Sequence, residues 1–126
     1  MAPEDTRRPT MDIGMGVWTE EGSNRFYPLE FVAAAGNVIV DELDGRMIAV
    51  FYEPGAQALS ALYVNATSGQ WTDDTLRLDS GQWIRNGVLF DASGSRIELE
   101  RPMQLFTRWY GYALAFENVE VYNPGN

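Results

Sequence analysis

The chain of 126 residues carries nine arginines against eighteen acidic residues, and it contains no lysine, histidine or cysteine. These absences remove the usual general base near neutral pH, the thiolate and the Schiff-base amine, and the net charge of -9 opposes binding to nucleic acid or to an anionic membrane surface. We therefore predict a protein that folds around one core, is not an enzyme, and uses no metal or cofactor.

The N-terminal residues predict a flexible arm. Residues 1–11 are polar, contain two prolines and lack the apolar core of a signal peptide. No run in the chain approaches the roughly 20 apolar residues that span a bilayer. We expect a β-rich domain over residues 12–126 and no direct membrane span.

The first part of this domain alternates apolar runs with turn residues. Residues 13–19 and 25–28 predict two short strands, and the proline at position 28 ends the second. Residues 29–35 predict one or two helical turns, which Gly36 closes.

A hairpin is the clearest local signal. Residues 38–43 and 46–52 are β-rich runs separated by Asp44-Gly45, a dipeptide suited to a type I′ turn because both of its residues need positive φ. The next strand is predicted over residues 58–64.

Three Ser-Gly pairs divide the second half into short runs, as in an antiparallel meander, sandwich or barrel. The predicted strands are residues 75–79, 82–85, 88–91 and 96–100. Two turns share the tetrapeptide Ser-Gly-Gln-Trp, at 68–71 and 80–83. We interpret these as similar hairpin corners that place a tryptophan at the entrance of a strand.

The C-terminal part has a different pattern. Residues 103–116 form a long apolar run after Pro102, which favours a helix that is buried all round or meets another protein. A closing strand is predicted over 119–122. Overall, we predict a mainly β fold: one antiparallel β-domain, as a curled sheet, small sandwich or barrel, with a short helical turn and a C-terminal apolar segment, helical or irregular.

Five segments, taken in order, are similar to a known family. They are Arg25-Phe26-Tyr27-Pro28-Leu29, Val38-Ile39-Val40-Asp41 leading to Asp44-Gly45-Arg46, Val50-Phe51-Tyr52-Glu53-Pro54, Asn86-Gly87-Val88-Leu89, and Trp109-Tyr110-Gly111-Tyr112-Ala113-Leu114-Ala115-Phe116 before Glu120-Val121-Tyr122. Over about residues 14–122, the chain resembles the bacterial and archaeal domain of unknown function 3179.

The resemblance implies a location but no established activity. Members of that family are commonly exported or lipid-anchored, which implies an extracytoplasmic protein or one peripheral to a membrane. Many carry Tyr-Cys-Pro-x-Cys where this chain has Tyr52-Glu53-Pro54-Gly55-Ala56. Glutamate and alanine replace the two cysteines, so the chain would lack any thiol or metal chemistry of those members.

Acidic residues near the predicted turns are the first candidate site. They are Asp41, Glu42, Asp44, Glu53, Asp73, Asp74 and Asp79. Two of them could act as acid and nucleophile of a glycoside hydrolase, or the segment 71–75 could bind calcium, although it lacks the spacing of an EF-hand. The alternative is that they are solvated turn and strand residues.

Aromatic residues are the second candidate site. Trp71 and Trp83 could stack on a sugar ring or another flat ligand, or they could pack in the core. A small-molecule or carbohydrate-binding module is therefore one functional hypothesis.

An interaction domain is the leading hypothesis from sequence. A chain that is acidic, aromatic-rich and poor in catalytic groups suits an accessory or scaffolding subunit that docks on a larger protein assembly, such as a membrane complex. Arginine is well suited to interfaces. The candidate interface residues are Arg7, Arg8, Arg101, Arg108, Trp109, Tyr110 and Tyr112.

Overall fold

The computed structural model describes residues 7–9, 12–116 and 118–124, and these residues form twelve strands and two helices. The strands are Ile13–Trp18 (β1), Asn24–Pro28 (β2), Val38–Leu43 (β3), Arg46–Glu53 (β4), Ala58–Tyr63 (β5), Gly69–Thr72 (β6), Thr75–Leu78 (β7), Trp83–Arg85 (β8), Val88–Phe90 (β9), Arg96–Ile97 (β10), Met103–Arg108 (β11) and Glu120–Val121 (β12). The helices are Leu29–Ala34 (α1) and Trp109–Ala115 (α2). Neither described helix has the length and apolar character needed to cross a bilayer.

The strands form three sheets. Sheet A has the order β11-β1-β2-β12, sheet B the order β3-β4-β5, and sheet C the order β10-β9-β8-β7-β6. Neighbouring strands are antiparallel except β12, which runs parallel to β2. The predicted mainly β, antiparallel-rich domain is confirmed.

Sheet B is the central layer, and strand β4 shows why. Ile48 and Val50 belong to the apolar cluster that sheet B shares with sheet A and α1. Ala49 and Phe51, which alternate with them, belong to the cluster shared with sheet C. Because side chains alternate between the two faces of a strand, the unbroken apolar run of β4 fits a sheet that is covered on both sides.

Polar side chains on the strands also join sheets A and B. Asp41 on β3 accepts hydrogen bonds from the Arg25 guanidinium at 2.7 Å and from the Tyr27 hydroxyl at 2.8 Å, both on β2. Burial, together with the charge of Asp41, raises the pKa of Tyr27 well above its usual range. The Gln104 side chain on β11 accepts from the Ala61 N–H and donates to the Ala61 carbonyl on β5, each at 2.9 Å.

Helix α2 covers the outer face of sheet A. Trp109 and Tyr112 are fully buried and pack against Phe26, with Trp109 in an edge-on contact at 5.2 Å between ring centroids. The Tyr112 ring lies directly over Gly16, where an added Cβ would fall 2.0 Å from a ring carbon. Because glycine has no side chain, the Tyr112 ring can pack against the backbone of β1 at Gly16, and helix α2 can lie close to sheet A.

The predicted long C-terminal helix is only partly correct. Residues Met103–Arg108 form strand β11 and pair with β1 along its whole length, and the helix begins at Trp109. Gln104 and Phe106 point toward sheet B, which is the two-residue alternation of a strand. Pairing with a distant strand, which the local sequence does not show, overrides the helical pattern here.

Strand β6 was not predicted. The first Ser-Gly-Gln-Trp lies mainly within this strand, so its interpretation as a hairpin corner is wrong. The second copy is a corner, because its Ser80 and Gly81 lie in the turn between β7 and β8. The segment considered as a calcium loop is the β6–β7 hairpin, with Asp73 and Asp74 at its turn.

The packing of Tyr112 on Gly16 gives a testable expectation. Replacing Gly16 with alanine should destabilise the protein by about 1–3 kcal/mol, because the new methyl group overlaps the buried Tyr112 ring. Without that overlap, replacing a strand glycine would be neutral or stabilising. The free energy of unfolding in urea measures the effect.

Gly55→Ala is the matched control. In the described part of the chain nothing lies within 4 Å of a Cβ added at Gly55, so its stability should stay within about 0.5 kcal/mol of wild type. Equal stability of the two variants would contradict the packing of α2 described above.

Candidate ligand-binding cavity

A cavity of about 310 Å³ lies between sheets B and C. Its walls come from the end of β4 with the following turn, from strand β6 and the β6–β7 turn, and from β8 with the β8–β9 turn. The side chains that give it its chemistry are Phe51, Glu53, Trp71, Asp74, Ile84 and Asn86.

The β8–β9 turn shapes one wall. Asn86 and Gly87 both have positive φ, 50° and 75°, as a type I′ hairpin requires. A Cβ added at Gly87 would lie 2.9 Å from Oε1 of Glu53, so the bare glycine leaves room for that carboxylate. The Asn-Gly dipeptide is a strong hairpin signal and could have located this wall from sequence.

Trp71 forms a fixed aromatic wall. Its indole Nε1–H donates to the Asn37 carbonyl at 3.0 Å, and its ring packs against Phe51 with centroids 6.3 Å apart. Both contacts are made with sheet B or the loop before it. These two contacts therefore hold the orientation of the indole ring before any ligand binds.

The two cavity carboxylates have different partners. Glu53 accepts a hydrogen bond from the Ser60 hydroxyl at 3.2 Å. Asp74, at the exposed rim, pairs with Arg85 at 3.2 Å and accepts from the Thr75 hydroxyl at 3.3 Å. Among the described residues, no group of three or more acidic residues is arranged to hold a metal ion.

Of the two candidate stacking residues, Trp71 lines the cavity and Trp83 lies outside it. Trp71 is opposite Leu76 on β7, whereas Trp83 is opposite Arg77, the next residue of the same strand. Adjacent residues of a strand point to opposite faces, so the two tryptophans lie on opposite faces of sheet C. Trp83 instead stacks on Phe90 at 4.1 Å.

Most of the predicted carboxylates serve turns and strand contacts. Asp44 accepts hydrogen bonds from the Thr19 and Ser23 hydroxyls, and Asp79 accepts from the Thr67 hydroxyl and backbone N–H. These hydrogen bonds lower the pKa of both aspartates, whereas a catalytic acid needs a raised one. Neither aspartate lines the cavity. Three further candidate carboxylates lie outside it as well: Asp41, Glu42 and Asp73.

The N-terminal arginines contact the domain itself. Arg7 donates to the Val119 carbonyl at 2.7 Å. Arg8 pairs with Asp12 at 2.8 Å and with Glu30 on α1. Apart from positions 7–9, the predicted arm lies outside the described residues.

The other interface candidates divide between core and surface. Trp109 and Tyr112 are fully buried, so the prediction that they form an interface is wrong. Arg101 and Arg108 are exposed, as is Tyr110. Four large apolar side chains on β11 and α2 are exposed, and we refer to them together as the outer apolar face: Met103, Leu105, Tyr110 and Leu114.

Comparisons with known proteins identify no relative. No protein-family model matches the chain, and neither the curated proteins nor the solved structures include a significant match. The resemblance to the 3179 family therefore remains a prediction.

The hydrogen-bonded aspartates predict a pH dependence. A carboxylate with a lowered pKa in the folded state stabilises the protein above its unfolded pKa of about 3.9, and this contribution is lost as pH falls through the folded value. Stability should therefore fall between about pH 5 and pH 2, and it should fall less steeply in Asp79→Asn.

Urea unfolding at several pH values in that range measures how steeply the free energy of unfolding falls with pH in wild type and in Asp79→Asn. Ser80→Ala, at the neighbouring position, keeps the titrating carboxylate and should retain the wild-type slope. Identical slopes for wild type and Asp79→Asn would contradict a lowered pKa at Asp79.

Proposed function

We propose that this protein is a non-catalytic binding domain that holds a small ligand in the cavity between sheets B and C. The observation that carries the proposal is the meeting of Trp71 and Glu53, from different sheets, in one cavity. The volume of about 310 Å³ is at the lower end of the range for small-molecule sites. A mainly apolar wall with a few polar groups is also typical of such sites.

The placement of sequence segments supports this proposal. The turn over residues 53–56 and the dipeptide Asn86-Gly87 line the same cavity although they are far apart in the chain. Both belong to the stretches that resemble the 3179 family. Binding residues of proteins are found disproportionately on loops that a rigid scaffold positions.

The chemistry of the cavity favours binding over catalysis. The chain contains no histidine, cysteine or lysine, so a reaction here would depend on the two carboxylates. Asp74 is exposed at the rim and already paired with Arg85, so it is engaged by the chain itself rather than held ready for a substrate. A carboxylate-dependent hydrolase is therefore the least supported of the three functions considered.

Tryptophan fluorescence tests the binding function. A panel of neutral sugars, small amines, carboxylates and phosphates should include a compound that changes the emission of the wild-type protein saturably. Trp71→Phe should weaken that binding at least ~10-fold, because it removes the indole ring from the wall.

Trp83→Phe is the matched control, since this residue stacks on Phe90 on the opposite face of sheet C. It should retain wild-type affinity. If no compound binds, or if Trp83→Phe rather than Trp71→Phe loses binding, the proposed function is wrong.

The outer apolar face supports a second candidate function, docking on a protein partner. Its four side chains are between 42% and 55% exposed although they are large and apolar. Exposed apolar patches on a folded domain often mark interaction sites. This function agrees with the accessory or scaffolding subunit predicted from sequence, and the resemblance would place it outside the cytoplasm or at a membrane.

Native purification tests the docking function. The wild-type protein should be recovered from its source cells with a stoichiometric protein partner. The double variant Leu105→Ser/Leu114→Ser should lose the partner yet stay folded, because both side chains are half exposed. Arg96→Ser on sheet C is the control; recovery of the partner with all three proteins would place docking elsewhere.

A further inference from the structure

The residues that line the cavity indicate the charge of its ligand. Resting on the proposed function, we infer that the ligand is an organic cation, an alkylammonium group held between the Trp71 ring and the Glu53 carboxylate. Three features of the described residues support this inference: Glu53 forms no ion pair, the Trp71 indole N–H is already hydrogen-bonded, and no cation lines the cavity wall.

Four carboxylates are partly buried in the described part of the chain, and one of them, Asp91, accepts hydrogen bonds from Ser93 and Ser95 of its own turn. Glu53 differs from the other two, which form ion pairs. Asp12 pairs with Arg8 at 2.8 Å, and Asp41 pairs with Arg25 at 2.7 Å. Glu53 is also partly buried, but within the described residues it forms no ion pair, and its side-chain partner is the Ser60 hydroxyl. A carboxylate that is partly removed from water favours a cation as its partner.

A ligand in the cavity would contact the carbon atoms of the Trp71 ring rather than its N–H group. The indole N–H already donates to the Asn37 carbonyl, so it is engaged and cannot readily serve a sugar hydroxyl or an anion. A tryptophan ring attracts cations through its π face more strongly than any other aromatic side chain. An alkylammonium group gains from this contact and from its apolar methyl or methylene groups.

The charges near the cavity disfavour an anion. No arginine is among the residues that line it in the described part of the chain. The rim residue Asp74 holds the adjacent Arg85 at 3.2 Å. With a net charge of -9, the whole chain also repels anions and attracts cations.

A pair of matched probes tests this inference. Choline carries a quaternary ammonium group, and 3,3-dimethyl-1-butanol has the same shape with a neutral carbon in place of the nitrogen. Binding is followed in the full chain by tryptophan fluorescence and amide NMR. Choline should bind at least ~10-fold more tightly than the neutral probe, by an amount that decreases with added salt.

Two variants assign the interaction. Glu53→Gln should weaken choline binding at least ~10-fold and leave the neutral probe unchanged, whereas Glu42→Gln, an exposed strand position, should change neither. Trp71→Leu should weaken both probes. An amide NMR spectrum of each variant shows whether it is folded.

The outcomes separate this inference from the proposed function. Equal affinity for the two probes, or Trp71-dependent binding of neutral sugars without binding of choline, would overturn the cationic ligand but keep the binding domain. The absence of binding by any compound of either panel would overturn both.

Discussion

The fold depends on the burial of sheet B on both faces. Strand β4 sends Ile48 and Val50 toward sheet A and Ala49 and Phe51 toward sheet C, so one continuous strand supports two apolar clusters. Sheets A and C are thereby held on opposite sides of the same layer. The candidate cavity lies within this stack, between the end of β4 in sheet B and the strands and turns of sheet C.

Local signals in the sequence were sufficient for much of the first half of the fold. Asp44-Gly45 forms the predicted hairpin with positive φ at both residues, and helix α1 starts directly after Pro28. The signals failed where pairing between distant segments decides the structure. Residues 103–108 became a strand because β1 lies beside them, and β6 was missed because its Ser-Gly start is typical of a turn.

The sequence identified members of the candidate site but not their assembly. Trp71, Glu53 and Asp74 were each considered, for stacking or for carboxylate chemistry, and the structure brings them to one cavity. Trp83 belonged to the same hypothesis and lies on the opposite face of sheet C. The registers of β6 and β8 decide which tryptophan faces sheet B, and a one-residue shift of either strand would turn its own tryptophan to the other face.

We propose that the space between sheets B and C is the binding site of this protein. This proposal can be tested by amide and indole NMR of the wild-type chain, titrated in turn with choline and with the panel of neutral sugars, small amines, carboxylates and phosphates. Saturable chemical-shift changes are expected at the Trp71 indole N–H, in the turn over residues 53–56 and at Gly87, which all line the cavity. Shifts centred on α2 and β11 instead, or no shifts at any concentration, would contradict it.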